Sequence, residues 1–519
     1  MRGLFANKFV IGALVVLALA AQYGLARFSH PVALAAGSLP PSPGRVPVTA
    51  AIRACPSPGG PLGSGVAIIA ATSGTGQGGS GTAGSGTATA GTAAVSRLSA
   101  AGSPAAVPLI NRARPGIVTR DTIPLATAKS GRAPRASQPA AGGKVPAGPS
   151  RGGVIVRATG SMARALEVEQ TGSGGLPAAV CNSPGTDFWF VGPGQHAAAS
   201  MQLYLMNADS QPADAEVDIF TDSGPLLGST DTGVSVPAHG LLVQSLAKLV
   251  HGSRVVALHV RTSVGRLVAA MRESKSASQP GAWLPASQPP ARSLIIPGLP
   301  DSAGSRELYV AVPGAGNAQV RLTAVTAKGS YHPTGGSGID LPGGSAAAVA
   351  LPSIAGVASA IRLTSNVPVT AAMLVSGGPA GAPGAFTAAS APLEEQGVVA
   401  DNLSGAGKTS TLVLSAPRAA AQVRITAEGT AAAQQTVTGG QPPRVVAITA
   451  KHTAVVRVRG PAGQLPFAIV ITPLPGSGPV YAGRVLTSGG TVESIFPVLT
   501  SLTWVPLRPV RDSLATVLP

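Results

Sequence analysis

Three short runs, Ala215-Glu216-Val217, Ala318-Gln319-Val320 and Ala421-Gln422-Val423, recur at intervals of 103 residues. A chain with that period folds as a series of like modules rather than around one large core. Each run is preceded by a similar apolar triplet, "LYL" from Leu203, "LYV" from Leu308 and "LVL" from Leu412. Each is followed by a hairpin pattern, "LHVRTSVGRLVAAM", "IRLTSNVPVTAAML" and "VRVRGPAGQLPFAIV", and a fourth copy, "VIVRATGSMARALEV", stands at 154–168. In "AEVDIF" the apolar Ala215, Val217 and Ile219 alternate with Glu216 and Asp218, the period of a strand with one buried face. Modules of about 100 residues with turn signals every ~10 residues predict immunoglobulin-like β-sandwiches. The predicted class is therefore all-β: tandem immunoglobulin-like modules after an N-terminal transmembrane or signal-anchor helix and a low-complexity segment.

Composition supports strands over helices, since Gly (67) and Pro (48) are abundant and charged residues make up only 11%. The pattern divides the chain into a cytoplasmic tail at 1–8, an apolar segment at 9–26 and a linker at 27–43. A partial β module at 44–170 follows, with a low-complexity insert at about 56–150, and then full modules at 171–276, 285–379 and 386–475. Residues 476–519 read as an extended closing segment. The insert is dominated by Ala, Gly, Ser, Thr and Pro, which bury too little apolar surface to offset ordering; "GVAII" and "AVPLI" are its two strand candidates.

Arg2 and Lys8 precede the uncharged run 9–26, the layout of an exported protein. Ala18-Leu19-Ala20 offers a cleavage site, so a removed signal peptide and an uncleaved anchor compete. The continuation of the run past that site favours the anchor, which places the chain in the cell membrane with its C-terminal region outside. Cys55 and Cys181 are the two cysteines. With neither a CxxC pair nor zinc spacing, one disulfide is the economical reading in an oxidising compartment, and two buried thiols are the alternative.

Charge is unevenly spread. Residues 1–166 carry sixteen Lys/Arg against Asp121 alone, whereas 167–519 carry twenty-one against nineteen acids. The basic arm comprises Arg97, Arg112, Arg114, Arg120, Lys129, Arg132, Arg135, Lys144 and Arg151. Outside a membrane such an arm meets lipid head groups or anionic wall polymers, with solubility alone as the bland alternative. Residues 56–150 hold no aromatic side chain to stack on bases, which argues against nucleic acid.

Phe188, Trp189 and Phe190 cluster in a chain that is 3% aromatic. They fall on the entry strand of the first full module, matched by "SLIIPG" and "GVVADN" in its sisters. Core and inter-module packing is the expected role, and a binding surface the candidate alternative. "NLSGAGKTS" at 402–410 lacks the first glycine of a phosphate-binding loop and runs into a strand pattern, "TLVLS". Asp209, Asp214, Glu216, Asp218 and Asp222 miss calcium-loop spacing, and the sister modules carry Gln319, Arg321, Gln422 and Arg424 at matching outward positions, so a solvated strand face is expected. No nucleophile elbow accompanies the scattered histidines. No catalytic, metal or cofactor residue is assigned.

The order "VTAAIRACPSPG", "CNSPGTDFWFVGPG", "LYLMN" and tandem β modules behind an anchor resembles an uncharacterised actinobacterial family of exported, membrane-anchored proteins, a domain of unknown function. The resemblance implies an extracytoplasmic location and brings no catalytic residues with it. The expected protein is a non-enzymatic envelope component, a stalk of modules that scaffolds or binds a wall polymer or partner protein. An extracytoplasmic hydrolase or enzyme accessory subunit is the competing class.

Overall fold

The computed structural model describes residues 44–56, 153–172, 179–194 and most of 198–506, together with strand backbone at Gly65–Ala71, Gly91–Leu98, Ala106–Ala113 and Thr119–Pro124. It also records Val16, Leu17 and Ala20 as helical. The other residues of the run 9–26 lie outside the described set, as do Arg114, Lys129, Arg132, Arg135, Lys144 and Arg151 of the basic arm, and the side chains of Arg97, Arg112 and Arg120. Among the described residues no helix is long and apolar enough to cross a membrane.

From residue 44 onward the described residues are all-β, with two short 3-10 turns at Gly160–Ala163 and Pro352–Ile354. Its strands form four sandwiches, spanning about residues 50–180, 187–284, 291–388 and 397–498, and each is built by the same rule. Leaving out the short hairpin strands Gly224–Pro225, Gly329–Tyr331 and Ser404–Gly405, and counting in chain order, strands one, six, three and four make the first sheet and strands five, two, seven and eight the second. In the second sandwich these are Asp187–Pro193, Val255–Val264, Ala213–Thr221 and Val234–Val236, facing Leu241–Ser245, Ser200–Met206, Val268–Ser274 and Ala282–Leu284. The order keeps the immunoglobulin pairings of strands two with five and three with six, and exchanges the first and seventh strands between sheets. "GVAII" and "AVPLI" are strands of the first sandwich.

Two expectations are corrected. Strands six and seven are the hairpin seen in sequence at 154–168, 258–271 and 361–374, but in the fourth sandwich they are Phe467–Pro473 and Tyr481–Ser488. "VRVRG" instead belongs to strand five, His452–Val458, paired with Lys408–Ala416. The two apolar alternations lie side by side in the chain, so a sequence window takes them for one hairpin, whereas hydrogen bonding separates them. The six-to-seven connection varies freely: in the third sandwich Ser359–Val375 runs unbroken from one sheet into the other, and in the fourth a loop at 474–480 intervenes. Correspondingly, the stretch read as an extended closing segment contains Tyr481–Ser488 and Thr491–Val498, which are strands seven and eight of the fourth sandwich, while its residues 507–519 lie outside the described residues.

The sandwiches also do not form an open stalk. The outer face of each first sheet packs on the outer face of the next second sheet. Ala54, Leu98 and Ile155 of the first sandwich meet Tyr204, Met206, Val268 and Trp283 of the second. Tyr309, Ala372, Leu374 and Phe386 of the third join the core of the second. Ile295 and Ala360 of the third meet Tyr481 of the fourth. There the strands approach so closely that a Cβ on Gly483 would overlap the backbone of Gly298, itself at φ +85°. The fourth then returns to the first, with Val398, Ala400, Ala468 and Val470 packed on Ala165. Head-to-tail packing of this kind closes into a ring when the rotation per module permits. Eight four-stranded sheets stacked round a ring is also how a β-propeller is built, but here strand order interleaves within each pair of sheets.

Closure is polar as well as apolar. Glu169 of the first sandwich accepts from Arg484 Nη2 of the fourth at 2.8 Å and from the Ala400 N–H at 2.9 Å. Arg484 Nη1 donates to Ser494 Oγ at 2.6 Å and its guanidinium lies 4.3 Å from the Phe496 ring. Ser501 Oγ donates to Glu167, and Val48 N and Ala165 N donate to the carbonyls of Thr503 and Leu502, so the end of the fourth sandwich is tied to the first. Burial pushes Glu169 up to about 7 against the opposing pull of Arg484, with Asp401 adding to the rise. Removing one partner of a buried pair strands the other charge and costs about 3–5 kcal/mol, whereas replacing both with apolar groups costs far less. Glu169→Gln and Arg484→Met are each expected to lower unfolding free energy by that order, and Glu169→Leu/Arg484→Met by less than their sum. Urea titrations of the four proteins measure this; additive losses would deny the coupling.

Candidate functional site

The entry strand of the second sandwich alternates across its sheet. Phe188 and Phe190 point into the core, while Trp189 lies on the outer face, 5% exposed, towards the third sandwich. Of the three aromatic residues singled out in sequence, the structure therefore brings only Trp189 to a cleft. Register does the rest, because Trp189 pairs with His259, which pairs on its other side with Asp218. The Trp189 and His259 rings stack at 3.8 Å and 11°, with Phe220 6.2 Å from Trp189. Pro313, Gly314, Val367 and Pro368 of the third sandwich form the opposite wall of a cleft of about 440 Å³.

Charges line its open side. His259 Nε2 lies 3.0 Å from Asp187 Oδ1 and its Nδ1 3.4 Å from Asp218 Oδ2. Arg261 bridges Glu216 at 3.1 Å and Asp218 at 3.3 Å. Of the acids expected as a solvated face, Glu216 and Asp218 are partly exposed members of this ion-pair network, Asp209 is paired with Arg266 at 2.7 Å, and Asp222 accepts from the Arg254 N–H at 3.0 Å. Burial holds the His259 imidazole below its ordinary value, and the two aspartates only partly offset it. His259 and Arg261 carried no sequence signal of their own. Strand alternation places them on the outer face, but only the register sets them against Trp189.

A smaller cavity of about 120 Å³ sits where the ring closes, lined by Arg53, Glu167, Glu169, Cys181 and Phe496 among others. Arg53 pairs with Glu167 at 3.0 Å. Cys55 and Cys181 lie at disulfide distance, S–S 2.13 Å, linking the first strand of the first sandwich to the chain entering the second. "NLSGAGKTS" forms a hairpin in which Lys408 pairs with Glu493. Among the described residues no group of three or more His, Cys, Asp or Glu side chains is arranged to hold a metal ion.

These features define a closed array of β-sandwiches with an aromatic–histidine cleft between two of them. Residues 135–459 match DUF5719, a family of unknown function, and the chain belongs to that family. No curated protein and no solved structure matches it.

A histidine whose folded pKa is depressed binds fewer protons in the folded than in the unfolded state below its ordinary value of 6.5. Its contribution is therefore intact above pH 6.5 and lost as pH falls below it. Glu169, shifted upward, has the opposite sign between 4.5 and about 7, so the test is a difference. His259→Gln should flatten the loss of thermal stability between pH 7.5 and 5.5 relative to the parent protein. Parallel curves would remove His259 as a source of the pH dependence.

Proposed function

We propose that the protein is a non-enzymatic extracytoplasmic envelope component, membrane-anchored through residues 9–26 or secreted after their removal. Its immunoglobulin-like modules act as a rigid ring that binds a wall polymer or a partner protein at the cleft between the second and third sandwiches. The observation that carries this reading is the state of His259. Both ring nitrogens face carboxylates of the same sheet, Asp187 at 3.0 Å and Asp218 at 3.4 Å, so the imidazole is held within an ion-pair network. None of the described residues lining the cleft is a serine, threonine or cysteine that the imidazole could activate. The cleft instead offers apolar walls with a few oriented charges, the make-up of a recognition site. The paired cysteines and the basic segment before the first acid of the modules support a location outside the cytoplasm.

The full chain should co-sediment with purified cell wall or cross-link to an envelope protein in intact cells, and leave the captured material chemically unchanged. Arg261→Ala, at the half-exposed rim, should weaken that capture several-fold with no change in melting temperature. Release of soluble fragments from the wall by the parent protein would instead establish the hydrolase class, and undiminished capture by the variant would move recognition away from the cleft.

A further inference from the structure

The cleft between the second and third sandwiches carries an excess of negative charge. On the outer face of the second sandwich the register sets Asp187, Arg261 and Glu216 in one row and Trp189, His259 and Asp218 in the next. These rows hold three carboxylates against one guanidinium, because burial keeps the His259 imidazole below its ordinary value and so uncharged at neutral pH. The opposite wall, Pro313, Gly314, Val367 and Pro368, supplies no cation.

All of these residues stand in stretches that the structure describes without a break, 179–194, 200–226, 249–275, 304–336 and 338–376. Asp187 Oδ1 and Asp218 Oδ2 meet His259, Asp218 Oδ2 also meets Arg261 Nη2, and Glu216 Oε2 accepts from the same Nη2. The second oxygen of each carboxylate accepts no hydrogen bond from any described residue, and Arg261 Nη1 and Nε donate none.

The acids are not a metal centre, since among the described residues no group of three or more His, Cys, Asp or Glu side chains is arranged to hold an ion. Nor does the fold require them. Strand three carries Gln319 and Arg321 at its outward positions in the third sandwich, and Gln422 and Arg424 in the fourth. Carboxylates this close repel one another unless a cation joins them, which suits the cleft to an organic cation with several N–H donors.

The walls narrow the class further. Apolar surface at Phe220, Val367 and two prolines beside a carboxylate rim matches a charge carried at the end of an alkyl stem, as in lysine and arginine. The remaining donors call for an acceptor. They are the unused N–H groups of Arg261 and the indole N–H of Trp189, which lines the cleft, is 5% exposed and has no hydrogen-bond partner. A peptide supplies both kinds of group, a cation from its side chain and carbonyls from its backbone.

We propose that this cleft binds a lysine- or arginine-bearing segment of a partner protein, with the side-chain cation on Asp187, Glu216 and Asp218 and a backbone carbonyl on Arg261. The proposal rests on the cleft being a recognition site and assigns the class of its ligand.

The test uses the full chain with a fluorescent octalysine peptide, with the same peptide acetylated on every side chain, and with a chitosan oligomer of equal charge, each at low and at high salt. Octalysine should bind at low salt and weaken at high salt. Acetylation, which keeps the stem and removes the cation, should weaken it by about tenfold or more. Asp187→Asn/Glu216→Gln should do the same, and Arg261→Ala, which removes the carbonyl contact and the brace on two carboxylates, should weaken it several-fold. Glu493→Gln, which removes a carboxylate from the fourth sandwich, should leave binding unchanged. Because acetylation alters the ligand alone, that comparison stands even where a variant folds poorly. Equal binding of the acetylated peptide, or undiminished binding by the double variant, would overturn the proposal. So would chitosan binding as tightly as octalysine through the same carboxylates, which would make the ligand an amino sugar of a wall polymer. If octalysine fails to bind while envelope capture stays sensitive to Arg261→Ala, the ligand class is wrong and the recognition cleft stands; loss of that sensitivity as well removes the cleft itself.

Discussion

The buried contact between Glu169 and Arg484 joins the first sandwich to the fourth across 315 residues of sequence, and the ring depends on it. Each seam between sandwiches buries apolar side chains of two facing sheets. In an open array the two terminal faces would lie in water, and repeat proteins ordinarily solve that problem with polar caps. Here no cap is needed, because the last first-sheet lies on the first second-sheet. An ion pair in such a place gives little net stability over a hydrophobic pair of similar volume. It does fix which surfaces meet, since a shifted docking would bury a carboxylate and a guanidinium apart.

That closure accounts for several local features. The glycines at 298 and 483 let a strand of the third sandwich lie on one of the fourth without side chains between them. The unbroken strand Ser359–Val375 crosses between sheets of one sandwich, so the two faces it serves are held at a fixed angle. Trp189 is buried because its sheet is covered by the next module rather than by solvent. The cleft beside it is walled on the far side by Pro313, Gly314, Val367 and Pro368.

A rigid ring presents its chemistry at seams and rims. The cleft is such a seam, between two sandwiches. Edge strands expose unpaired backbone and invite association, and charge on them is a common defence. On the edge strands of the fourth sandwich, exposed Val445 and Val455 stand beside Arg444 and Arg457, so the cations keep those edges from pairing with another chain.

The sequence by itself determined the strand class, the module period and which face of each strand is apolar, because a period of two and a spacing of 103 residues are local properties of the chain. It located the entry strand and its sisters, and it favoured a Cys55–Cys181 disulfide over two buried thiols, the pairing that the structure places at bonding distance. It misplaced the final hairpin, since "VRVRG" and "FAIVI" have the same alternation and differ only in hydrogen-bond partners. Nor did it reveal ring closure, for Glu169 and Arg484 are two charged residues among many until packing removes water from both. The same holds for the site: alternation put Trp189, His259 and Asp218 on outer faces, and register alone stacked them. Pairing and packing bring together groups distant in the chain, and those are the interactions that tertiary structure alone decided.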